Sequence, residues 1–381
     1  MQGEAPGVAL NAKSQAANAL EIAVVVPTYN EALNAADLCQ LLHKALAGRN
    51  YEIIFVDDNS PDGTSDIVRE MGQSDTRIRC LQRVGRRGLS SAVIEGMLAT
   101  AAPVVAVVDG DMQHDETKLG EMLDKLWAED VDLVVGSRYM EGGGFGDWSA
   151  KRRKMSEFAT AMAKRLTGVP LSDPMSGFFM LRTSALRDRV NELTGVGYKI
   201  LLDVLSAPGP QMSVAEVPYE FRTREAGESK LDNKVLLEFV ELLIARTVGK
   251  YVPTKFVMFA MVGALGVFVH MAVLAGLFQN GNGVASFAVA QGVATLVAMT
   301  ANFFVNNFFT YFDRQLRGWA MLRGWASFAL ASMVGAVANL GISVYLFETW
   351  DAVWFVSGIA GIIVGAAWNY AVTALYTWNN T

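Results

Sequence analysis

The sequence predicts an α/β domain with an open parallel sheet, followed by an all-α membrane domain of four helices. Two observations predict this. Up to about Lys255, short apolar runs that end in acidic or turn-forming residues alternate with helical segments. Beyond that point charged residues nearly vanish and long apolar stretches follow. With 381 residues, the chain is long enough for two or three domains.

Three apolar runs are predicted to be buried strands whose carboxyl ends carry polar residues. The runs and the segments that follow them are Ile22 to Val26 before Pro27-Thr28-Tyr29-Asn30-Glu31, Ile53 to Val56 before Asp57-Asp58-Asn59-Ser60, and Val104 to Val108 before Asp109-Gly110-Asp111. In an open parallel α/β sheet, ligands bind beyond the carboxyl ends of the strands. We therefore expect the three strand ends to converge on one site.

The Asp109-Gly110-Asp111 segment indicates the chemistry of that site. Two carboxylates one residue apart offer oxygen ligands to a hard divalent cation and leave room for phosphate oxygens. An isolated Asp-x-Asp pattern occurs by chance, and a strand-end aspartate is often only a turn former. Its position beside two similar strand ends favours a site for a nucleotide diphosphate.

Further elements continue the alternation of strands and helices. Helices are predicted from about Glu31 to Ala47, Gly63 to Met71, Ser90 to Ala101 and Glu116 to Ala128, and another begins near Ser149. Val131 to Val135 is predicted to be a strand that enters Gly136-Ser137-Arg138.

Charge and cysteine content exclude some classes of protein. The net charge of -6 and the lack of a basic, aromatic-rich stretch argue against a nucleic-acid binder. Cys39 in a predicted helix and Cys80 in a predicted strand have no metal-binding spacing, so both are expected to be reduced thiols. The first twenty residues lack the apolar core of a signal peptide and are expected to form a disordered tail.

Four stretches are apolar and long enough to cross a bilayer: Phe256 to Phe278, Val284 to Phe309, Trp325 to Phe347 and Val353 to Tyr376. Basic residues accumulate on the cytoplasmic side of a membrane. Here they precede the first stretch and separate the second from the third, at Arg246, Lys250, Lys255, Arg314, Arg317 and Arg323. The soluble domain and the carboxyl terminus are therefore expected to be cytoplasmic.

A weak internal repeat predicts that the membrane domain is a duplicated helical hairpin. Asn302-Phe303-Phe304-Val305 resembles Asn369-Tyr370-Ala371-Val372, and Gly266 and His270 match Gly335 and Asn339. His270, Asn302, Asn306 and Asn369 either line a path for lipid or sugar or form hydrogen bonds between helices, since polar groups in a bilayer need partners.

The segment between the two halves is expected to be an amphipathic helix on the membrane surface or a docking helix of the soluble domain. The predicted organisation is a tail over residues 1–20, a soluble domain over 21–231, this interfacial helix over 232–252 and the membrane domain over 253–381.

Six motifs in order carry a resemblance to known enzymes. They are Val26-Pro27-Thr28-Tyr29-Asn30-Glu31, Val56-Asp57-Asp58-Asn59-Ser60-Pro61-Asp62-Gly63-Thr64, Asp109-Gly110-Asp111-Met112-Gln113-His114, Gly136-Ser137-Arg138-Tyr139, Ser172-Asp173-Pro174-Met175-Ser176-Gly177-Phe178 and Ala226-Gly227-Glu228-Ser229-Lys230. The chain resembles dolichol (polyprenol) phosphate mannose synthases, which are family 2 glycosyltransferases of GT-A fold. The membrane half resembles the GtrA family through Asn302-Phe303-x-x-Asn306.

The resemblance implies the roles of individual residues. The nucleotide sugar, GDP-mannose, is expected to contact Pro27, Tyr29, Glu31, Val56, Asp58, Asp109, Gly110, Asp111, Arg138, Arg224 and Lys230. Mg²⁺ or Mn²⁺ is expected on Asp109, Asp111 and Gln113. A polyprenyl phosphate acceptor is expected to contact Arg152, Ser156 and Arg222. Asp111, Arg152 and Lys230 are the residues expected to be catalytic. The family commonly has Ala where this chain has Gly110, a small-for-small change.

The resemblance implies an inverting transfer of mannose to the lipid phosphate at the cytoplasmic face of the membrane. Two alternatives stay open. One is transfer from UDP-glucose or a UDP-N-acetylhexosamine to undecaprenyl phosphate, since the Asp58 carboxylate suits uracil as well as guanine. The other is a flippase or transporter of a lipid-linked sugar, whose soluble domain only binds the nucleotide sugar.

Overall fold

A computed structural model describes residues 19–144, 146, 150–195, 197–222, 233–249, 251–278, 287–349 and 354–378. The chain forms two compact units, Met1–Leu242 and Leu243–Thr381. The unit boundary falls inside a helix, Asn233–Thr247, which occupies most of the predicted interfacial segment. The predicted amino-terminal tail lies almost entirely outside the described residues.

The first unit contains a seven-stranded sheet of order β3-β2-β1-β4-β6-β5-β7. The strands are β1 (Ile22–Thr28), β2 (Tyr51–Asp57), β3 (Ile78–Gln82), β4 (Val104–Val107), β5 (Leu133–Ser137), β6 (Phe179–Arg182) and β7 (Val214–Pro218). Strand β6 runs antiparallel to both of its neighbours, and the other pairs are parallel. The α/β class is confirmed, but the sheet is mixed, because β6 inserts between β4 and β5.

Helices cover both faces of this sheet. In chain order, the helices up to residue 247 are α1 (Ala35–Ala45), α2 (Thr64–Ser74), α3 (Leu89–Leu98), α4 (Lys118–Ala128), α5 (Ala150–Thr167), α6 (Thr183–Arg187), α7 (Ile200–Ser206) and α8 (Asn233–Thr247), with a 3₁₀ turn at Val190–Glu192. Of these, α1, α2 and α4 pack into the core on one face of the sheet, and α3, α6 and α7 pack into the core on the other. All five predicted helices are present. Helix α1 begins at Ala35, four residues later than predicted from Glu31, because residues 29–34 form a turn. The thiols of Cys39 in α1 and Cys80 in β3 are free.

The central strands are apolar throughout because both of their faces are buried. Along β1, Ile22, Val24 and Val26 face one hydrophobic core, whereas Ala23 and Val25 face the other. Alternate residues of a strand point to opposite sides of the sheet, so a strand covered by helices on both faces needs a continuous apolar run. Polar side chains therefore cluster at the strand ends.

The second unit consists of α9 (Thr254–Phe278), α10 (Phe287–Val305), α11 (Trp319–Thr349) and α12 (Trp354–Val372). Within the described residues, three helical segments are long and apolar enough to cross a membrane: Thr254–Leu277, Val289–Thr310 and Trp319–Asn339. Helix α12 lies in the fourth predicted stretch. A π-helical turn follows α10 at Asn306–Thr310, and another follows α12 at Thr373–Thr377.

The membrane unit repeats its packing as the sequence repeat predicts. A Cβ atom on Gly266 would stand 2.3 Å from the Asn302 side chain, and one on Gly335 would stand 2.0 Å from that of Asn369. Both glycines thus let a helix approach an asparagine of its hairpin partner. Tyr311 and Trp378, which follow the two π turns, stack on each other with ring centroids 4.1 Å apart.

Two polar residues in this unit form internal hydrogen bonds. Asn306 accepts a hydrogen bond from the Thr310 hydroxyl at 2.7 Å. Asn307 pairs with the backbone of Leu316 and accepts a hydrogen bond from the Trp378 indole at 3.1 Å. The Asn306 bond lies within its own π-helical turn, so both interpretations of Asn306 stay predictions, whereas Asn307 joins separate segments of the unit.

We expect Gly266→Leu to destabilise the membrane unit, because the new side chain must displace Asn302. Overpacking of this kind costs ~1–3 kcal/mol. Gly263→Leu in the same helix is the control, since nothing lies within 4 Å of a Cβ atom there. Thermal unfolding of the purified chain in detergent measures the difference. Equal melting temperatures of the two variants would contradict the close approach.

Candidate active site

The ends of β1, β2 and β4 contact one another, as the sequence predicts. The backbone N–H of Asp58 donates to the Thr28 carbonyl at 3.0 Å, and the Thr28 hydroxyl donates to Asp57 at 3.3 Å. A Cβ atom on Gly110 would stand 3.1 Å from the Thr28 methyl and 3.4 Å from the Glu31 side chain. The three strand ends therefore form one edge, and Gly110 lies where an alanine would fit tightly.

A network of short side chains holds the turn after β1 against the turn after β2. The N–H groups of Asn30, Glu31 and Ala32 donate to Ser60, Thr64 and Asp62 respectively, at 2.9 to 3.1 Å. Burial opposes ionisation of Asp62, but hydrogen bonds from Thr64 and Ala32 outweigh it and hold its pKa below the ordinary value. These bonds end the strand at Thr28 and delay the start of α1.

Asp58, expected to contact the nucleotide base, is buried and already hydrogen-bonded within the protein. Its carboxylate accepts from the Arg83 guanidinium at 2.7 Å and from the Gly88 N–H at 2.7 Å. The Arg83 side chain is only 1% exposed and also pairs with Glu95. Asp58 therefore anchors the loop from Arg83 to Gly88, and its contact with a base stays a prediction.

Tyr29, a predicted nucleotide contact, lies under an arginine from that same loop. The Arg87 guanidinium donates to the Tyr29 hydroxyl at 3.0 Å and lies 4.6 Å from the centre of the ring. Glu31 accepts a hydrogen bond from the Asn34 amide at 2.8 Å. Pro27 and Val56 lie in buried strand segments, and the Val56 side chain is part of the hydrophobic core.

Asp109 packs against a buried histidine that the sequence did not single out. The Asp109 N–H donates to Nδ1 of His114 at 3.1 Å, so Nε2 carries the ring proton and faces Oδ2 of Asp109 at 3.5 Å. The His114 side chain is 2% exposed and stacks on Phe178, with centroids 5.3 Å apart. Burial lowers the pKa of His114 to about 4, so the ring is neutral at pH 7.

Gly177 lies close to the Asp109 carboxylate and the His114 ring. A Cβ atom there would stand 3.0 Å from Oδ2 of Asp109 and 3.3 Å from the His114 ring. The Ser176-Gly177-Phe178 segment thus supplies a stacking ring and a position without a side chain. Asp109 thus lies between His114, five residues along the chain, and Gly177, which comes from a distant segment.

Asp111 and Gln113 lie beside Asp109, and a second segment fixes Gln113. The Gln113 N–H donates to Asp111 at 3.2 Å, and its amide nitrogen donates to the Arg222 carbonyl at 3.0 Å. The Arg222 guanidinium pairs with Asp115 and Glu116 at 2.9 and 2.7 Å. Arg222 therefore braces the acidic loop, and its contact with an acceptor phosphate stays a prediction.

These donors fit a hard divalent cation. Two carboxylates and the amide oxygen of Gln113 are oxygen ligands, and the bond from the amide nitrogen to Arg222 assigns the oxygen as the atom of that amide available to a cation. Among the described residues, no group of three or more His, Cys, Asp or Glu side chains could hold a metal ion. A cation bound here would therefore need the Gln113 oxygen and oxygens from its ligand.

Arg138, a predicted contact of the nucleotide sugar, forms a buried ion pair. Its guanidinium donates two hydrogen bonds to Asp173, at 2.7 and 3.0 Å. The Asp173 side chain is fully buried, and the pair raises the pKa of Arg138 above its ordinary value despite desolvation. The ion pair joins the end of β5 to the Ser172-Asp173-Pro174 motif, so Arg138 is fixed in one orientation.

The predicted acceptor end lies beside α5. Ser156 and Thr160 on this helix hydrogen-bond with the Tyr139 hydroxyl at 3.0 and 3.3 Å. A cavity of about 350 Å³ lies next to it, and its lining includes Arg138, Tyr139, Gly143 and Arg153. The Arg152 side chain, Arg224 and Lys230 lie outside the described residues, so their predicted roles have no structural account.

Sequence reasoning missed His114, Arg83, Arg87 and Asp173 as parts of this site. His114 and Asp173 lie inside two of the six sequence motifs that resemble known enzymes. This position in the motifs is the sequence signal that could have identified them as site residues. Arg83 and Arg87 follow a short strand and look like ordinary surface cations. Only the contacts with Asp58 and Tyr29 distinguish them.

Two family models match the chain, one for each compact unit. Residues 23–190 match the family described as Glycosyl transferase family 2. Residues 258–378 match the GtrA/DPMS transmembrane domain. The fold and the strand-end site therefore define a glycosyltransferase attached to a membrane.

Similar proteins of known name show which family of glycosyltransferases this chain belongs to. A dolichol-phosphate mannosyltransferase of Pyrococcus furiosus is 31% identical over 363 residues, which cover 94% of this chain and 99% of the relative. One of Saccharomyces cerevisiae is 34% identical and covers 63% of this chain and 92% of the relative. The chain belongs to the family of dolichol-phosphate mannosyltransferases.

Solved structures are also similar to part of this chain, at a lower sequence identity than these relatives. Glucosyl-3-phosphoglycerate synthase from Mycobacterium tuberculosis, in complex with Mn²⁺, UDP and glucosyl-3-phosphoglycerate, has a TM-score of 0.45 at 17% identity and covers 64% of this chain and 86% of its own. Mannosyl-3-phosphoglycerate synthase from Rubrobacter xylanophilus has a TM-score of 0.46 at 18% identity, with 63% and 77% covered.

We expect His114 to make stability depend on pH. In the unfolded chain its pKa is the ordinary 6.5, and in the folded chain it is about 4. As the pH falls below 6.5, the unfolded state takes up a proton that the folded state does not, so stability is lost down to about pH 4. Between pH 7.5 and 5 the loss is about 2 kcal/mol.

His114→Gln removes the ionisable ring, so the free energy of unfolding of the variant should fall less between pH 7.5 and 5 than that of the wild type. Denaturant unfolding of the full chain in detergent at the two pH values compares wild type with variant. Parallel losses in the two proteins would show that His114 does not contribute.

Proposed function

We propose that the chain transfers mannose from GDP-mannose to a polyprenyl phosphate at the cytoplasmic face of the membrane, with inversion at the anomeric carbon. The observation that carries this proposal is the 31% identity to the Pyrococcus furiosus enzyme, which extends through both units. The meeting of the three strand ends, with Asp109 and Asp111 at their edge, supports it.

The donor occupies the edge formed by β1, β2 and β4. Tyr29 and Glu31 line one side of its nucleotide, and Asp58 lies on the other. Each oxygen of Asp58 has a further lone pair beyond those used by Arg83 and Gly88, and this leaves capacity for a base N–H. The Arg83 to Gly88 loop therefore shapes the base pocket together with Asp58.

Mg²⁺ or Mn²⁺ is held by Asp109, Asp111 and Gln113. When bound, the ion offsets the negative charge that develops on the departing diphosphate. The residues of this chain fix its ligands in advance: His114 and Gly177 position the Asp109 carboxylate, and Arg222 positions the Gln113 amide. Such preorganisation avoids a reorganisation cost during the reaction.

The acceptor phosphate approaches from the α5 side of the site. A phosphomonoester is largely dianionic at neutral pH, because its second pKa is about 6, and it needs little help from a general base. One of its oxygens forms the new bond to the anomeric carbon while the bond to the nucleoside diphosphate breaks, so an α-linked donor gives a β-linked product. Arg152, Ser156, Arg224 and Lys230 counter the repulsion between the two anionic substrates.

The membrane domain crosses the bilayer four times and keeps both ends cytoplasmic. Its basic loops support this orientation. Lys255, in the first turn of α9, pairs with Asp313, between α10 and α11, at 3.0 Å, so the two basic segments lie at the same end of the unit. A long isoprenoid cannot leave the bilayer, and anchoring brings the enzyme to its headgroup.

Incubation with radiolabelled donors tests the function. Purified protein in detergent is given GDP-mannose or UDP-glucose, with Mg²⁺ or Mn²⁺ and a short polyprenyl phosphate, and the lipid is extracted. We expect label in the lipid only from GDP-mannose, and a β-linkage by NMR. Transfer from UDP-glucose alone, or donor binding without labelled lipid, would contradict the proposal.

The cation site is tested by two substitutions with different sizes of effect. Asp111→Ala should abolish transfer, because a charged ligand is lost. Gly177→Ala should weaken metal-dependent binding of the donor diphosphate by about tenfold, since its methyl group pushes on Asp109, and ~1.4 kcal/mol corresponds to a factor of ten. Calorimetry with GDP and Mn²⁺ measures this.

Gly120→Ala in α4 is the matched control, because its Cβ atom would be 3.9 Å from its nearest neighbour. Unchanged affinity in Gly177→Ala, or near-normal turnover in Asp111→Ala, would rule out the assigned ligands.

A further inference from the structure

The loop between β3 and α3 is attached at both ends to one carboxylate. Arg83, which follows β3, and Gly88, which precedes α3, both donate to Asp58 at 2.7 Å. The Arg83 N–H also donates to the Asp57 carbonyl at 2.8 Å. Only residues 84–87 lie between the two attached ends, so this four-residue segment stays beside the end of β2.

Arg87, the last residue of this segment, connects the end of β2 with the end of β1. Its guanidinium donates to the Tyr29 hydroxyl at 3.0 Å and lies 4.6 Å from the centre of the Tyr29 ring. Its neighbour in the chain, Gly88, binds the Asp58 carboxylate. Arg87 therefore lies beside two residues, Tyr29 and Asp58, that are expected to contact the nucleotide.

Arg87 also differs from the other arginines of the loop in its charge partners. Arg83 and Arg86 both pair with Glu95, at 3.2 and 2.7 Å. Within the residues that the structure describes, no carboxylate lies within 4.0 Å of the Arg87 guanidinium. The side chain is exposed, and the Tyr29 hydroxyl takes one of its five N–H donors. Donors therefore remain on Arg87 for a ligand at this edge of the sheet.

Guanine carries donors and acceptors side by side on the edge that would meet Asp58. A carboxylate that accepts from N1–H and the N2 amino group has O6 and N7 next to it, and both of these atoms are acceptors. An arginine paired with O6 and N7 is the commonest specific contact to guanine. Uracil has no N7, and adenine has an amino group where guanine has O6. A guanidinium beside Asp58 thus favours guanine over both.

We propose that Arg87 determines the choice of nucleotide, by donating to O6 and N7 of a guanine whose N1–H and N2 amino group are held by Asp58. This inference rests on the proposed function, because it takes guanine as the base of the donor. Tyr29 holds the Arg87 guanidinium at the strand ends before the nucleotide arrives, so little side-chain freedom is lost on binding. The expected order of affinity is GDP, then UDP, then ADP.

The donor diphosphate is the competing partner for an exposed arginine. It is expected at Asp109 and Asp111, through the cation, and these residues follow β4. In the sheet, β1 separates β4 from β2, and β3 lies on the far side of β2. Arg87 belongs to the loop after β3, so its place in the fold favours the base over the diphosphate.

A change of one atom in the ligand tests this contact. In 7-deaza-GDP a carbon atom replaces N7 of guanine, and the diphosphate, the ribose and the N1–H and N2 groups are unchanged. Calorimetry in the presence of Mn²⁺ measures the affinity of the full chain in detergent for GDP and for 7-deaza-GDP. The proteins compared are wild type, Arg87→Ala, Arg87→Lys and Arg86→Ala. Arg86→Ala is the matched control, since it removes the same charge from the adjacent residue, which pairs with Glu95.

We expect wild type and Arg86→Ala to bind GDP about tenfold more tightly than 7-deaza-GDP, because a hydrogen bond from a charged donor is lost. Arg87→Ala should bind the two nucleotides with equal affinity. Arg87→Lys should also lose most of the preference, because an ammonium group keeps the charge but lacks the planar fork that spans O6 and N7.

Two results would overturn the assignment of Arg87 alone. A preference for GDP that persists in Arg87→Ala would show that another group binds N7. Equal weakening of both nucleotides in Arg87→Ala, with no preference in wild type, would show that the arginine acts on the diphosphate. The proposed function is judged by wild type with UDP: if UDP binds as tightly as GDP, the assignment of the donor fails, and the role of Arg87 fails with it.

Discussion

The structure of the site depends on burying both faces of the central sheet. Because β1, β2 and β4 lie between two hydrophobic cores, their charged and polar residues are confined to the strand ends. There Thr28, Asp57 and Gly110 pack within a few ångströms of one another. This packing brings acidic residues from separate segments to one edge. Their negative charges repel one another there, so the edge suits a bound cation and neighbouring arginines such as Arg83.

Much of the remaining chain holds these side chains in fixed positions. Neutral His114 faces Asp109, buried Arg83 holds Asp58, and Arg138 is paired with Asp173. Buried ion pairs contribute little net stability, but breaking one leaves an unpaired charge that costs several kcal/mol. Their value here is geometric, since a preorganised group does not have to move when charge develops on a substrate. The same principle explains why a glycine occupies position 177, since a Cβ atom there would press on the Asp109 carboxylate.

The helices of the membrane unit are held together by a different kind of contact, which occurs in both helical hairpins. In a bilayer, helices gain no hydrophobic energy from meeting each other, so close contact and hydrogen bonds must hold them together. Gly266 and Gly335 admit Asn302 and Asn369, and the residues after the two π turns stack on each other. The duplication visible in the sequence therefore corresponds to repeated contacts.

The sequence by itself determined the class of fold, the strand ends that form the site, and the apolar helices, because each follows from local periodicity and composition. It also placed Asp109, Asp111 and Gln113 together, since they are neighbours along the chain. Only the tertiary structure decided that β6 runs antiparallel, that Arg222 braces Gln113 and that His114 and Gly177 enclose Asp109. These contacts join residues up to 109 positions apart, and no local pattern specifies which distant side chain will fill a given space.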